Sequence, residues 1–171
     1  MKKYIRNMSK VLCASIALAF LISGNVGAYK YTGFKMSNPS NIKIKISTTV
    51  GAYTSDSITY AKQWENKCNE IGFSIVDSGE NIYFYGDYEV NNGLYAASTC
   101  RNDSAVITYH KRFLELDASQ KRETIVHEVG HTLGLDHCQL LKNSTSVMRA
   151  NGFNGKAYPL SDDIAGISAL Y

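Results

Sequence analysis

Apolar residues recur along the chain in patterns that predict a small β-sheet. Over residues 42–46 isoleucine alternates with lysine, a period of two that is typical of a strand with one buried face. Residues 72–76 and 81–85 are predicted to form two more strands, the second rich in aromatic residues, and residues 105–109 a further short strand. The aromatic residues fit a half-buried sheet and are given no chemical role.

A helix is predicted between the first two strands. Apolar residues recur at helical spacing from Ile58 to Cys68, and Ser55 or Asp56 can cap the start of this segment. Trp64 falls on the apolar side of the helix, so we expect it in the core rather than at a ligand site.

A second amphipathic pattern predicts a longer helix that begins after Asp117. Gln120 lies three residues further on and completes a capping box. Gly134 follows the last periodic apolar residue, where helices often end in a left-handed conformation. The residues expected on the side that packs on the core are Ile125, Val126, Val129 and Leu133. The other side of this helix is free to line an open site.

The end of the chain predicts a third helix. Ser161 can cap it, and the acidic Asp162 and Asp163 suit the positive end of its dipole. The residues expected to face the core are Ile164, Ile167 and Leu170.

Residues 1–28 read as a secretory signal peptide that is removed before Tyr29. A basic start is followed by an apolar run over residues 11–22 that is too short to span a membrane comfortably, and then by small residues at the cut. Two alternatives remain open. One is a lipid anchor on Cys13, disfavoured because the bulky Leu12 precedes it, and the other is an uncleaved N-terminal anchor.

Removal of that segment leaves 143 residues, a normal size for one domain. We expect residues 29–40 to be an exposed lead-in and residues 41–171 to be a single domain, divided into parts at 41–134 and 135–171. The formal net charge changes from +3 to −1, so neither nucleic acid nor an anionic membrane is an expected partner. The mature protein is expected to be a secreted monomer.

Three cysteines remain in the mature chain: Cys68, Cys100 and Cys138. Export permits disulfides, but an odd number leaves one thiol over, and the sequence does not say which two would pair. Cys138 directly follows His137, yet adjacent residues rarely bind one ion with good geometry, so a fourth metal ligand is disfavoured here.

Three of the four histidines fall within residues 127–137. His127 and His131 are four residues apart and therefore lie on one face of the helix, while the turn after Gly134 can bring His137 to the same ion. Three imidazoles leave the fourth position of a zinc ion open, which is typical of a catalytic site. Glu128 is placed to take a proton from water rather than to bind the metal. An ordinary amphipathic helix with surface histidines is the alternative, and chance agreement at these positions is on the order of 10⁻⁵.

The string His-Glu-x-x-His-x-x-Gly-x-x-His resembles the metzincin signature, and the chain looks most like a matrixin, the matrix-metalloproteinase type. Ser146-Val147-Met148 resembles the Met-turn, and residues 160–171 resemble the last helix of matrixin catalytic domains. This resemblance implies an α+β zincin fold, with two helices on a twisted mixed sheet and a small C-terminal part that carries the Met-turn and the last helix. It also implies an active-site cleft between the two parts and a Met148 that forms an apolar floor beneath the ligands.

The resemblance also bears on the metal content. Matrixins carry a second, structural zinc that needs three further histidines, and only His110 is left over, beside basic residues and expected at the surface. One catalytic zinc is therefore predicted. Asp87 and Glu89 could hold calcium, but two acids in a polar loop are more often solvated, and nothing else supports the site.

Two segments are expected to bind substrate. Gly93, Leu94, Tyr95 and Ala96 resemble the edge strand against which metzincins lay an extended peptide, although an ordinary strand is the alternative. By resemblance, Glu123 walls the main specificity pocket and could favour a basic substrate side chain, whereas the simpler reading is a helix acid favoured by the dipole. Residues 150–160 are expected to form a flexible pocket rim, and Arg149 stands where some relatives carry a catalytic tyrosine.

These expectations describe a secreted zinc-dependent endopeptidase that hydrolyses peptide bonds with a zinc-bound water and Glu128 as general base. Two alternatives remain: a secreted zinc-binding module without turnover, against which the intact Glu128 counts, and an aminopeptidase like that suggested for archaemetzincins.

Overall fold

The computed structural model describes residues 29–138 and 144–171, so the predicted signal peptide lies outside the described residues. Within them we number the elements in chain order. The strands are β1 (Lys30–Tyr31), β2 (Ile42–Ile46), β3 (Phe73–Ile75), β4 (Ile82–Asp87), β5 (Ala96–Arg101), β6 (Ser104–His110) and β7 (Leu135–Asp136). The α-helices are α1 (Thr54–Ala61), α2 (Ala118–Thr132) and α3 (Ser161–Leu170), and short 3-10 helices span Pro39–Asn41, Thr48–Tyr53 and Lys111–Glu115.

Five of the strands form one mixed sheet in the order β3-β2-β4-β6-β5. Neighbours are parallel except β5, which runs antiparallel to β6 and forms one edge of the sheet. The alternating isoleucines of β2 place Ile42 and Ile44 in the core, as the period of two predicts. The predicted α+β class with a mixed sheet is therefore confirmed.

The helix predicted through Cys68 is shorter than expected. α1 ends at Ala61, and the following residues continue as a series of turns. It begins directly after Tyr53, so Asp56 lies inside its first turn and neither Ser55 nor Asp56 caps it. Trp64 is fully buried, and its indole N–H donates to the carbonyl of Val126 at 3.0 Å, which joins this turn region to α2.

α2 carries the predicted capping box. The Asp117 carboxylate accepts from the backbone N–H of Gln120, and the Gln120 side chain accepts from the backbone N–H of Asp117. After the helix, Gly134 takes a φ of +100°, and a Cβ there would meet the Phe34 carbonyl oxygen at 2.4 Å. Both the backbone conformation and the close approach therefore require glycine at the turn that leads to His137.

The last helix also differs from its predicted start. Ser161 is the first helical residue of α3, not its cap, and the carboxylate that accepts from the backbone N–H of Leu160 belongs to Asp163. Ile167 is fully buried, and Ile164 packs against the core as expected.

The lead-in is docked onto the domain rather than simply exposed. β1 pairs antiparallel with β7, and the Tyr31 hydroxyl donates to the carbonyl of Gly166 in α3. Met36 is almost completely buried. Most of residues 29–40 are exposed, as expected, and the segment is anchored at Tyr31 and Met36.

Cys68, Cys100 and Cys138 are all free thiols, so the disulfide that the sequence left open does not form among them. In the described ranges, no helix is long and apolar enough to cross a membrane.

Candidate metal centre

Three imidazoles meet at the junction of α2 and β7. His127 and His131 project from adjacent turns of α2, and their Nε2 atoms lie 3.0 Å apart. His137 follows β7, and its Nε2 lies 3.2 Å from that of His127. In the described part of the chain, this is the one group of three or more potential ligands whose atoms lie within 4.8 Å of one another. Cys138 is not part of it.

Two of the imidazoles are oriented by backbone carbonyls. Nδ1 of His127 lies 2.9 Å from the carbonyl oxygen of Val147, and Nδ1 of His131 lies 2.8 Å from that of Leu135. A carbonyl can only accept, so each Nδ1 carries the proton and each Nε2 presents a lone pair. Burial lowers the pKa of both histidines to about 4, which keeps these rings neutral near pH 7.

This arrangement fits a zinc ion. Two neutral nitrogens that each present a lone pair cannot hydrogen-bond to each other at 3.0 Å, but both can bind a single cation at this spacing. Zinc–nitrogen bonds of about 2.0–2.1 Å at tetrahedral angles place ligand nitrogens about 3.3–3.4 Å apart, close to the observed spacing. Carbonyl oxygens on the far ring nitrogens are also the usual partners of zinc-bound histidine.

Glu128 lies beside the cluster without belonging to it. Its carboxylate is buried, and the Ser98 hydroxyl lies 2.7 Å from Oε2 and 3.0 Å from the Glu128 carbonyl oxygen. Burial raises the pKa of the Glu128 carboxyl, while the neighbouring imidazole of His131 opposes that change. A basic carboxylate held next to three metal-ligating rings can accept a proton from water at the centre.

The Met-turn, residues 146–148, is held in place by Asp163 of α3. One Asp163 oxygen accepts from the Ser146 hydroxyl at 2.5 Å, and the other accepts from the backbone N–H of Val147 at 2.8 Å. The Val147 carbonyl in turn orients His127. The buried Asp163 carboxylate thus holds Val147, whose carbonyl fixes the tautomer of His127.

Met148 packs beneath α2, as the resemblance implied. It is 2% exposed, and a Cβ on Gly130 would lie 2.3 Å from its sulfur. Gly130 is therefore required by the close approach of the methionine to the helix that carries His127 and His131.

The histidines and Glu128 lie in a cleft of about 810 Å³. One wall is formed by residues 93–98 and Cys100, and the other by residues 149–153. Gly93, Leu94, Tyr95 and Ala96 all line the first wall, but β5 begins only at Ala96. The edge strand therefore lies further along the chain than predicted, because the Asn-Asn-Gly turn at 91–93 extends to Tyr95.

Glu123 has a different role from the one the resemblance implied. Its carboxylate is 3% exposed and accepts from the backbone N–H groups of Asn154 and Gly155, each with a contact of 2.8 Å. It is absent from the cleft lining, so its charge anchors the 150–160 rim instead of meeting a substrate side chain. Neither the pocket-wall reading nor the helix-dipole reading anticipated this contact.

Three further residues escaped the sequence reasoning. Ser98 contacts Glu128, and Asp163 contacts the Met-turn. His110, which was expected at the surface, is buried at 7% exposure. Alternation along 104–110 buries Ala105, Ile107 and Tyr109 and would place His110 on the other face, so this pattern does not predict its burial. Nothing local marks Ser98, because its partner lies 30 positions away.

The profile of the matrixin family matches residues 58–171. Two solved structures of myroilysin have the same fold, each with a TM-score of 0.60. One is 16% identical and covers 84% of this chain and 98% of its own, and the other is 17% identical with coverage of 82% and 86%. No curated protein sequence matches. With two thirds of its length matched by the family profile and three imidazoles arranged as zinc ligands, the chain belongs to the matrixin family and is a zinc metalloprotease.

Proposed function

We propose that this protein is a secreted endopeptidase that cleaves extended peptides at the His127–His131–His137 centre. The observation that carries the proposal is a set of three imidazole nitrogens that converge on one point beside a buried, serine-oriented carboxylate in an open cleft. A site that only stored zinc would have no need of that carboxylate, and its fourth position would be filled by protein.

His127, His131 and His137 would hold a zinc ion, which would supply a Lewis acid for the scissile carbonyl and lower the pKa of water to about 7. Glu128 removes a proton from the attacking water and delivers it to the leaving nitrogen. Ser98 holds the carboxylate in place at 2.7 Å, and the carbonyls of Val147 and Leu135 hold the two helix imidazoles as neutral rings. No side chain is acylated.

The course of the cleft supports cleavage of internal bonds. Ser98, near the middle of β5, contacts Glu128. From there the lining continues to Tyr95 and Arg112 in one direction, and to Cys100 and Phe34 in the other. Substrate can therefore extend on both sides of the general base, with unpaired backbone groups of the edge strand available to it.

Internally quenched peptides with free and blocked N-termini test this proposal on residues 29–171 loaded with zinc. We expect equal cleavage of both sets, one zinc per chain, loss of nearly all activity with retained zinc in Glu128→Ala, and loss of both in His131→Ala. Cleavage that requires a free N-terminus would favour the aminopeptidase, and zinc binding without cleavage of any peptide would favour the binding module.

Export is part of the same proposal and has its own test. The predicted cut places Tyr29 at the mature N-terminus, next to β1, where it packs against Tyr31 at a ring separation of 5.5 Å. Mass spectrometry of the protein recovered outside expressing cells should find Tyr29 as the first residue. Recovery of an intact residue 1–28 segment in the membrane fraction would contradict secretion.

A further inference from the structure

Arg149 places a positive charge in the cleft wall opposite β5. It directly follows Met148, whose carbonyl accepts from the backbone N–H of Cys138 at 2.7 Å, so its backbone is fixed next to the third histidine. Its side chain lines the cleft together with the three histidines and Glu128. The residue is therefore held beside the reacting centre rather than on a free surface loop.

The guanidinium of Arg149 has few partners. Its one hydrogen bond to the described residues runs from Nη2 to the Asn151 carbonyl oxygen at 3.3 Å, and its Nε is buried without a partner there. None of the ion pairs of the described residues involves it. Residues 1–28 and 139–143 contain no aspartate or glutamate, so this chain supplies no carboxylate to neutralise the charge.

The other arginine of the cleft shows what a satisfied guanidinium looks like. Arg112 donates to the carbonyl of Gly93 and the hydroxyl of Tyr95, stacks over the Tyr95 ring, and lies 3.7 Å from a Glu115 oxygen. It is used to build the first wall. Arg149 is not used in this way, although unpaired donors in a partly buried guanidinium are costly.

The side chains that line the cleft carry a net positive charge, as Arg149 does. Glu128 is the one carboxylate among the cleft-lining residues, and two arginines line the same space. A zinc ion bound by the three histidines would add two further positive charges. A cleft of this kind attracts negatively charged peptide groups and repels lysine and arginine side chains.

We infer that Arg149 is a specificity residue that binds a carboxylate of the peptide substrate close to the scissile bond. A guanidinium matches a carboxylate with two parallel N–H···O hydrogen bonds, which Nη1 and the second N–H of Nη2 can supply, whereas the buried Nε cannot. The carboxylate can come from an aspartate or glutamate side chain or from the C-terminus of the peptide. This inference rests on the proposed function, and it reverses the preference for basic side chains that Glu123 suggested in the sequence.

Paired peptides test the inference with the zinc-loaded protein. Each position around the cut carries either Asp or its neutral isostere Asn, and each peptide ends in a free acid or an amide. We expect at one position, or at the C-terminus, a kcat/KM at least about tenfold higher for the charged form, since charge-assisted hydrogen bonds contribute on that scale. Arg149→Gln should reduce this ratio to near one, and Arg149→Lys should retain part of it.

Arg122→Gln is the matched control. Arg122 pairs with Asp56 at 3.3 Å, stacks on Tyr60 and does not line the cleft, so its loss removes the same charge without touching the site. The ratio should stay at the wild-type value in this variant. Added salt should lower the wild-type ratio, because a cleft open to solvent is partly screened.

A binding measurement separates the two levels of the proposal. Fluorescence anisotropy on zinc-loaded Glu128→Gln, with and without Arg149→Gln, should show tighter binding of the acidic peptide only when Arg149 is present. Cleavage with an acid-to-neutral ratio near one at every position and both C-termini would overturn the Arg149 inference and leave the endopeptidase intact. Acid-selective, Arg149-dependent binding without any cleavage would support the inference and overturn the proposed function.

Discussion

The two walls of the cleft are built by different means. The β5 wall belongs to a sheet, and β5 pairs with β6 over six consecutive residue pairs. The opposite wall, residues 149–153, contains no helix and no strand beyond a single bridge at Arg149, and two buried carboxylates hold the residues on either side of it. Asp163 binds the Met-turn at its start and Glu123 binds the rim at its end.

This difference concentrates stability in few side chains. A ladder distributes its free energy over many bonds of about 0.5–1.5 kcal/mol each, so a single substitution removes little. A buried carboxylate that accepts several N–H groups contributes more per residue, and its loss leaves all of those donors unpaired. We therefore expect single substitutions to disrupt the 149–153 wall but not the β5 wall.

Asp163→Ala should have the largest effect. It leaves the Ser146 hydroxyl and the backbone N–H groups of Val147 and Leu160 without their acceptor, and the Val147 carbonyl no longer holds His127 in place. We expect the free energy of unfolding to fall by about 3 kcal/mol or more, with weaker zinc binding. Denaturant unfolding and zinc titration measure both.

The control for that variant is Asp162→Ala, on the same turn of α3. Asp162 is only partly buried and accepts from the Thr145 hydroxyl at 3.0 Å, so its loss should cost about 1 kcal/mol and leave zinc affinity unchanged. Equal losses in the two variants would contradict a special role for Asp163.

Glu123→Gln should have the next largest effect. The amide keeps the volume but replaces an acceptor-only group with one that donates, so the N–H groups of Asn154 and Gly155 lose charge-assisted partners. We expect a loss of about 1–3 kcal/mol, a higher KM and unchanged zinc content. Glu89→Gln, at an exposed carboxylate outside the cleft lining, should alter none of the three quantities, and a KM like the wild type in Glu123→Gln would argue against the anchored rim.

Ser98→Ala probes the β5 wall. The ladder around Ser98 is unaffected by the change, so we expect a stability loss of no more than about 1 kcal/mol. Turnover should nevertheless fall, because the Glu128 carboxylate loses its hydroxyl donor at 2.7 Å. Ser98→Thr, which keeps the hydroxyl, should restore most of kcat, and a normal kcat in Ser98→Ala would remove Ser98 from the mechanism.

The smallest effect concerns the reactivity of two thiols, Cys100 in the β5 wall and Cys68 in the core. Burial raises the pKa of Cys100 to about 11 and that of Cys68 to about 12, so at pH 8 both are almost entirely protonated. Alkylation by iodoacetamide should be slow in the folded protein, rise with pH, and become fast after denaturation. Rapid alkylation of Cys100 in the native state would contradict the raised pKa of its thiol.

The features that the sequence predicts depend on contacts between near neighbours, and those it misses depend on residues far apart in the chain. The spacing of His127 and His131, the Asp117 capping box and the turn at Gly134 are set by neighbours a few positions away, so local rules suffice. The roles of Glu123 and Asp163 arise from partners 16 to 32 positions away. No periodic pattern shows that these acids bind distant backbone N–H groups, and the family resemblance placed Glu123 in a substrate pocket instead.

The most direct test of the account is X-ray absorption at the zinc edge of the loaded protein and of its Glu128→Gln variant, together with peptide cleavage by each. The account predicts three imidazole nitrogens and one further light atom at about 2.0–2.1 Å in both spectra, and cleavage by the wild type alone. A change of ligand in the variant, or turnover that survives it, would contradict the assignment of Glu128 as the general base outside the metal's ligand set.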